Sequence, residues 1–324
     1  MNATLRHRPL IALAALMAVA LVVSGIAAVI DGRTLTGMNI WFKPIKFEIS
    51  IGIYAITLSW LIGQLTRMRR LAWVAGTVSA VGLVIEMVII VGYAAVGETS
   101  HFNVSTPMHT AMWSVMAASI VVVWIMTLIV AVALFRTPLG DRARTIAIRA
   151  GVIIAIIGMG LAFLMTGPTA QQLDDFQGIA GAHAVGVEDG GAGLPILGWS
   201  TVAGDLRIPH FIGMHALQLL PLAAIGLELF ARRWPRLLNA EVRRQVIWLA
   251  VAVYALALVL LTWQALIGQS IVQPGGAVLV SGLALAGAAV AAALLIAVNA
   301  VRRRNAERLG EPAEAESPVL DVVR

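Results

Sequence analysis

Five of the six histidines could contribute to one chemical site, because they lie at or near corresponding ends of hydrophobic segments. They are His101, His109, His183, His210 and His215. A neutral imidazole is a common ligand for metals, and it can also exchange protons near neutral pH. The arrangement favours a shared polar site. The alternative is that these histidines only cap helices at a membrane interface.

A divalent metal ion is one ligand that this pattern would serve. His210 and His215 are five residues apart. On a regular helix their side chains diverge by about 140° and cannot both bind one ion. Other ligands must then come from other segments, and we expect a metal site formed by His101, His183, Asp205 and His210. Such a site needs three or four ligand atoms at about 2.0–2.2 Å from the ion.

A haem b is the second cofactor that the histidines predict. Two hydrophobic segments begin with similar short sequences, HFNVSTPMH and HFIGMH. Parallel helices would bring His109 and His215 to similar depth, as two axial ligands of a haem require. The chain has no cysteine, which excludes disulfides, thiolate ligands and iron–sulfur clusters. Any metal or haem must therefore use His, carboxylate, Met or Tyr ligands.

Three polar side chains lie within hydrophobic segments. Burying a polar side chain there costs free energy unless it has a polar partner or takes part in function. Lys46 belongs to a polar stripe, Glu86 interrupts the run VGLVIEMVIIVGY, and Gln218 lies three residues after His215. Ionisable groups inside a membrane commonly mark proton relays or substrate contacts. We expect Glu86 to contact Lys46 or Gln218, as part of a proton relay or a solute site. A hydrogen-bonded clamp between helices is the structural alternative.

The composition identifies a membrane protein. Charged residues make up only 12% of the 324 residues and hydrophobic residues 60%, whereas soluble domains carry about 25% charged residues. Eight apolar stretches are long enough to cross a hydrocarbon core of about 30 Å. The predicted fold is an all-α bundle of about eight transmembrane helices. We place them near residues 10–30, 44–63, 71–95, 109–135, 147–167, 208–230, 246–268 and 277–300.

Basic residues predict the orientation of this bundle. Of the 23 lysines and arginines, only Arg33, Lys43, Lys46 and Arg207 fall on the side that carries the long loop. Because positively charged segments are retained in the cytoplasm, both termini are predicted to be cytoplasmic, in a bacterial inner membrane. The same bias explains the calculated pI of 10.7, so no nucleic-acid partner is implied.

Three parts of the chain are predicted to differ in organisation. Residues 1–300 form the transmembrane domain, which includes one long external loop at 168–207. Loops of this length are usually functional or disordered, and apolar residues such as Phe176 and Trp199 favour a lid packed over the bundle. Residues 301–324 are charged and poor in aromatic residues, which predicts a disordered cytoplasmic tail.

Four segments carry a resemblance to other membrane proteins: WFKPIKFEIS, SHFNVSTP, GAHAVGVEDGGAGLP and GWSTVAGDLRIPHFIGMHALQ. In these segments the chain resembles a group of bacterial multi-pass inner-membrane proteins for which no activity is established. The resemblance covers most of the helical core and leaves out the tail. It implies the same helical architecture and assigns no catalytic residue.

Two classes of function are compatible with these residues. The first is a metal- or haem-dependent membrane enzyme or redox protein that uses the histidines. The second is a transporter for a small solute, with or without proton coupling, that uses Lys46, Glu86 and Gln218. Histidines at one depth favour the first class, and discontinuous helices around a midplane site favour the second. No nucleotide-binding, dinucleotide-binding or familiar hydrolase motif occurs in the sequence.

Overall fold

Long apolar helices make up most of the structure. The computed structural model describes residues 7–234 and 239–309. Helix accounts for 73% of these described residues, and eight helices within them are long and apolar enough to span a membrane. The prediction of an all-α bundle with about eight spans is therefore confirmed.

The helices and strands of the described ranges follow one another in a simple order. The helices are α1 (Arg8–Ile30), α2 (Phe42–Gln64), α3 (Arg69–Val96), α4 (Pro107–Phe135), α5 (Arg142–Gly160), α6 (Ala170–Asp174), α7 (Arg207–Ala231), α8 (Ala240–Leu266) and α9 (Gly276–Leu309). A 3₁₀ turn, Leu161–Met165, continues α5. Four two-residue strands form two antiparallel pairs: β1 (Thr34–Leu35) with β2 (Met38–Asn39), and β3 (Ala184–Val185) with β4 (Gly204–Asp205).

The observed helices agree with the predicted spans to within a few residues at most boundaries. The largest differences are at the C-terminal half, where α8 begins at Ala240 and α9 continues to Leu309. Residues 301–309, which the composition assigned to the tail, therefore extend the last helix. Four of these nine residues are arginine, a good helix former. The remainder of the predicted tail, 310–324, lies outside the described residues.

Two apolar cores hold the long helices together. The larger core joins α1 to α5 and is centred on buried residues such as Leu10, Leu58 and Met116. The second core joins α5, α7 and α8 around Ile247 and Leu220. Helix α5 contributes to both cores, so it links the two halves of the bundle. Helix α9 packs beside α8 at the edge.

Helices α5 and α7 approach each other closely where two glycines face each other. A Cβ atom added to Gly213 would lie 2.5 Å from the Cα atom of Gly158, and a Cβ on Gly158 would collide with the backbone of Gly213. Small residues commonly permit such backbone contact between membrane helices. This contact brings the beginning of α7 against the end of α5.

We expect Gly158→Ala to destabilise the protein, because the added methyl group must push α5 and α7 apart. Overpacking of this kind costs about 1–3 kcal/mol. Gly92→Ala in α3 is the matched control, since a Cβ there meets no atom within 4 Å. Thermal unfolding of the purified variants measures the difference. Equal melting temperatures for the two variants would contradict the close contact.

One end of the bundle carries the segment 168–207, which we call the lid loop, and we call this end the lid end. The lid loop contains α6, β3 and β4 and is attached to its surroundings by backbone hydrogen bonds. The amide of Ala180 donates to the carbonyl of Phe102 (2.8 Å), and the amide of Ala182 donates to that of Met165 (3.1 Å). Phe102, Met165 and Leu206 form a small apolar core beneath it. The lid loop is thus packed onto the helix ends.

Candidate functional site

A cavity of about 960 Å³ lies beneath the lid loop. Residues from α2, α3, α4, α5 and α7 form its walls, and the lid loop covers it. The volume is near the upper end of the 300–1,000 Å³ typical of small-molecule sites. The cavity is therefore the candidate ligand-binding site of this chain.

Two lysines on α2 contribute positive charge to this cavity. Lys43 and Lys46 both line it, and both lie near the beginning of α2, which starts at Phe42. The positive end of the helix dipole favours anions and disfavours cations there. No acidic residue lies in the first turn of α2 to offset the lysines. The beginning of α2 therefore presents an unusually positive surface to the cavity.

Helix α7 repeats this arrangement at its own beginning. Its first residue, Arg207, lines the cavity, and its first turn has no acidic residue. The N-cap residues of α2 and α7, Trp41 and Leu206, make no side-chain capping hydrogen bond. Two helix beginnings with basic first turns therefore meet at the same cavity, and at α7 the carboxylate of Asp205 already accepts the amide of Arg207.

A chain of titratable groups connects α2 and α3 inside the cavity. The ammonium of Lys43 lies 3.1 Å from Nδ1 of His101, and Nε2 of the same ring lies 3.7 Å from Oε1 of Glu86. Glu86 is 1% exposed, and its Oε2 atom has no hydrogen-bond partner among the described residues. The expected partners of Glu86 were Lys46 and Gln218. The structure places His101 next to it instead.

Aromatic rings fix the orientation of His101 between Lys43 and Glu86. The ring packs against Phe47 and Trp113 at centroid distances of 5.6 and 5.4 Å. Burial, followed by the positive charges of Lys43 and His183, holds the pKa of His101 well below its ordinary value. The imidazole is therefore neutral at pH 7. It can accept a proton from the cavity or pass one between its two nitrogen atoms.

The lid loop is attached to the cavity wall by Lys46 and by a buried ion pair. The ammonium of Lys46 donates to the carbonyl oxygen of Leu197 at 2.9 Å. Asp205 is 1% exposed and receives two hydrogen bonds from the Arg207 guanidinium, at 2.9 and 2.5 Å. Its carboxylate also accepts the amide of Ser200 at 2.8 Å. Asp205 is thus the anchor of the lid loop beside α7.

A histidine–aspartate pair lies at the rim of the cavity. Nδ1 of His183 lies 2.6 Å from Oδ2 of Asp189, whose other oxygen accepts the amide of Ala184 at 2.9 Å. Burial lowers the pKa of His183, and Asp189 opposes this effect. Burial alone would raise the pKa of Asp189, but the hydrogen bonds from His183 and the two backbone amides hold it well below its usual range. The pair closes one turn of the lid loop and still lines the cavity.

The histidines of α7 also line the cavity, with their Nδ1 atoms already engaged. Nδ1 of His210 donates to the carbonyl oxygen of Gly158 at 2.8 Å, close to the end of α5 where helical carbonyls lack partners. Nδ1 of His215 donates to Oε1 of Gln218 at 3.3 Å. All three side chains belong to the cavity wall. These polar side chains of α7 are therefore directed into the site.

His109 lies apart from the others. Its Nε2 atom pairs with Glu98 at 2.8 Å, and its Nδ1 atom lies 2.8 Å from the Ser105 hydroxyl. The residue is not part of the cavity wall, whereas His215 is. The proposed haem-ligand pair His109 and His215 thus belongs to two different surroundings. The local bonds of His109 stabilise the beginning of α4.

The four predicted metal ligands have separate partners. Asp205 pairs with Arg207, His183 with Asp189, His210 with Gly158, and His101 lies between Lys43 and Glu86. Within residues 7–234 and 239–309, no group of three or more His, Asp or Glu side chains is placed to hold a metal ion. His101, His183 and His210 share the cavity wall, but Asp205 lies outside it. Geometry therefore gives no support to a joint metal site.

Sequence reasoning gave too little weight to two residues of this site. Lys43 was not among the predicted site residues, although a spacing of three residues places it on the same helix face as Lys46. Asp189 was also not among the predicted site residues. No local pattern marks its contact with His183, because that contact depends on how the lid loop folds.

We expect the stability of the protein to fall between pH 7 and pH 5. The pKa of His101 is lowered in the folded state, whereas an unfolded histidine titrates near 6.5. Below about pH 6.5 the unfolded chain therefore binds a proton that the folded chain does not. Each such group lowers the free energy of unfolding by up to about 1.4 kcal/mol per pH unit.

Thermal unfolding of the wild type and of His101→Gln across this range tests the expectation. The variant should lose less stability between pH 7 and pH 5 than the wild type does. Identical pH dependence in both proteins would show that folding does not lower the pKa of His101.

A functional assignment for this chain rests on the geometry of the cavity. No family model, curated protein or solved structure matches this chain.

Proposed function

We propose that this chain binds a small anionic solute in the cavity beneath the lid loop and carries it across the membrane. The observation that supports this proposal most is the position of Lys43 and Lys46, two cations at the beginning of α2 that line one large cavity. The proposed activity belongs to the transporter class.

The distribution of counter-charges supports an anionic solute. Arg207 is engaged by Asp205, and Asp189 is engaged by His183. Among the described residues, no carboxylate forms an ion pair with the ammonium of Lys43 or of Lys46. An anion entering the cavity would supply the missing counter-charge and would accept charge-assisted hydrogen bonds.

The Glu86–His101–Lys43 chain supports coupling to protons. Its members are ionisable and line one cavity. The Lys43 ammonium lies 3.1 Å from the His101 ring, which lies 3.7 Å from the Glu86 carboxylate. An anion bound near Lys43 would favour a proton on the neighbouring His101 or Glu86, since opposite charges stabilise each other at these distances. A solute and a proton would then occupy the cavity together.

Most basic side chains support the predicted orientation. They flank the helix ends opposite the lid end, for example at Arg8, Arg69 and Arg142, where α1, α3 and α5 begin. By the positive-inside rule, those ends face the cytoplasm. The cavity would then open toward the periplasm of a bacterial inner membrane, with the lid loop above it.

The metal- or haem-dependent enzyme has weaker support. The histidines that would bind the cofactor are held by Lys43, Asp189, Gly158 and Gln218. The ammonium groups of Lys43 and Lys46 fit an anion site directly, because they donate hydrogen bonds to anions. The transporter therefore explains more of the observed contacts.

Uptake into proteoliposomes tests the proposal. Butanesulfonate is a suitable probe, because its charge is fixed and it crosses bilayers poorly without a carrier. We expect saturable uptake of butanesulfonate that protein-free liposomes lack, and no uptake of the cation butyltrimethylammonium. Equal flux with and without protein, or a preference for the cation, would contradict the proposal.

A further inference from the structure

The cavity is larger and more apolar than a compact inorganic anion requires. Its cationic groups, Lys43, Lys46 and Arg207, are concentrated near the lid loop, and its lining also carries carboxylates such as Glu86 and Asp189. Farther along the helices, the walls are formed by buried apolar side chains, among them Leu83, Met116 and Leu217. The lining extends along α2 from Lys43 to Tyr54, which corresponds to about 16 Å of helix.

This division matches the two parts of an amphiphile. The charged end of the cavity suits an anionic head group, and the long apolar end suits a hydrocarbon chain. A cavity of about 960 Å³ has room for both parts, whereas a small inorganic anion would leave most of the apolar walls in contact with water. Wet apolar surface is unfavourable, so an apolar occupant is the better match.

The cavity also reaches the lateral surface of the bundle between α4 and α5. Val121 of α4 and Phe163 of the 3₁₀ turn line the cavity, yet 36% and 46% of their surfaces are exposed. Trp124 bridges the two helices next to this point. Its indole N–H donates to the carbonyl of Ile156 at 3.0 Å, and its ring contacts that of Phe163 at 5.7 Å.

We call the gap between Val121 and Phe163 the lateral opening. On one side the Trp124 bridge closes the gap between α4 and α5, and on the other α5 ends in the 3₁₀ turn Leu161–Met165. The opening lies within two candidate membrane spans. Its exposed side chains therefore face the hydrocarbon region of a bilayer.

We infer that the anion bound by this cavity is the head group of an amphiphile whose apolar chain enters sideways from the bilayer, between Val121 and Phe163. This inference rests on the anion site proposed above and names its substrate class. The apolar chain moves from one apolar surrounding to another, so the head-group contacts determine selectivity. The lateral opening determines how fast the chain enters.

Two alkylsulfonates in nanodisc-embedded protein test the inference. Butanesulfonate is too short to anchor in lipid, whereas dodecanesulfonate partitions into the bilayer. Binding is followed by the fluorescence of tryptophans that line the cavity, such as Trp113 and Trp199. We expect dodecanesulfonate to displace butanesulfonate competitively.

Val121→Phe is designed to narrow the lateral opening, and Val122→Phe is the matched control. Val122 is 38% exposed on the same helix but does not line the cavity. We expect Val121→Phe to slow dodecanesulfonate binding at least tenfold and Val122→Phe to leave it unchanged. Unchanged butanesulfonate affinity in both variants would show that the cavity remains folded.

The outcomes separate this inference from the proposal on which it rests. If butanesulfonate binds but dodecanesulfonate does not compete, the amphiphile is excluded and the anion site stands. If Val121→Phe binds dodecanesulfonate as fast as Val122→Phe does, the lateral route is wrong. If neither sulfonate binds to the wild type, the anion site itself fails.

Discussion

Asp205→Asn is expected to release the lid loop and to destabilise the protein by about 3–5 kcal/mol, the cost of removing one partner of a buried ion pair. The Asp205 side chain is fully buried and receives hydrogen bonds from the Arg207 guanidinium and from the amides of Ser200 and Arg207. The asparagine keeps the shape of the side chain but leaves the Arg207 charge without its partner.

Limited proteolysis and thermal unfolding measure this effect together. Cleavage within the lid loop should become faster in Asp205→Asn before the long helices unfold. Asp174→Asn is the matched control, because Asp174 is an exposed residue of the same loop. Exposed substitutions usually change stability by less than about 0.5 kcal/mol. A lid loop equally resistant in both variants would mean that Asp205 does not anchor it.

Replacing the two α2 lysines is expected to have the largest effect on binding. A hydrogen bond to a charged group contributes about 1.5–3 kcal/mol. Lys43→Gln or Lys46→Gln should therefore weaken butanesulfonate binding at least tenfold, and the double variant about a hundredfold or more. Glutamine preserves much of the side-chain length and a hydrogen-bond donor. The loss of butanesulfonate affinity would therefore measure the contribution of the positive charge.

Arg33→Gln provides the control for this experiment. Arg33 is also a cation at the lid end, but it pairs with Asp31 and does not line the cavity. Its replacement should leave the dissociation constant unchanged. A loss of affinity as large as that of the lysine variants would indicate a general charge effect. No loss in the lysine variants would remove the anion site from the cavity.

The sequence contained enough information for the membrane architecture. Hydrophobic length alone determines which segments can cross a bilayer, and the predicted spans correspond to the observed helices. The two predicted sets, His101 with His210 and Lys46 with Glu86 and Gln218, were assigned to different kinds of site, and the structure places all five residues on the wall of one cavity. Burial cost explains this placement, because ionisable groups in apolar segments must face a polar interior.

The pairing of these residues was not predictable in the same way. Glu86 lies beside His101 because the segment after α3 folds back over its end, and no helical periodicity describes that turn. Lys46 donates to Leu197, a contact that depends on the folded lid loop. Strands β3 and β4 have two residues each, too few to show an alternating pattern. Such contacts are set by tertiary packing.

Reaction of single cysteines with charged thiol reagents tests the central claim, a cavity that attracts anions. The chain has no cysteine, so Ser50→Cys places one thiol on the cavity wall. Val202→Cys, at an exposed site of the lid loop that does not line the cavity, is the reference. The reagents are the anionic sulfonatoethyl and the cationic trimethylammonioethyl methanethiosulfonates, which differ chiefly in charge.

For each reagent, the rate of modification of Ser50→Cys is divided by its rate with Val202→Cys. We predict that this relative rate is at least ten times higher for the anionic reagent than for the cationic one. This ratio corresponds to a difference of about 1.4 kcal/mol. The preference should disappear when Lys43 and Lys46 are both replaced by glutamine. Equal rates, faster modification by the cation, or a thiol that neither reagent reaches would contradict a cavity that binds anions.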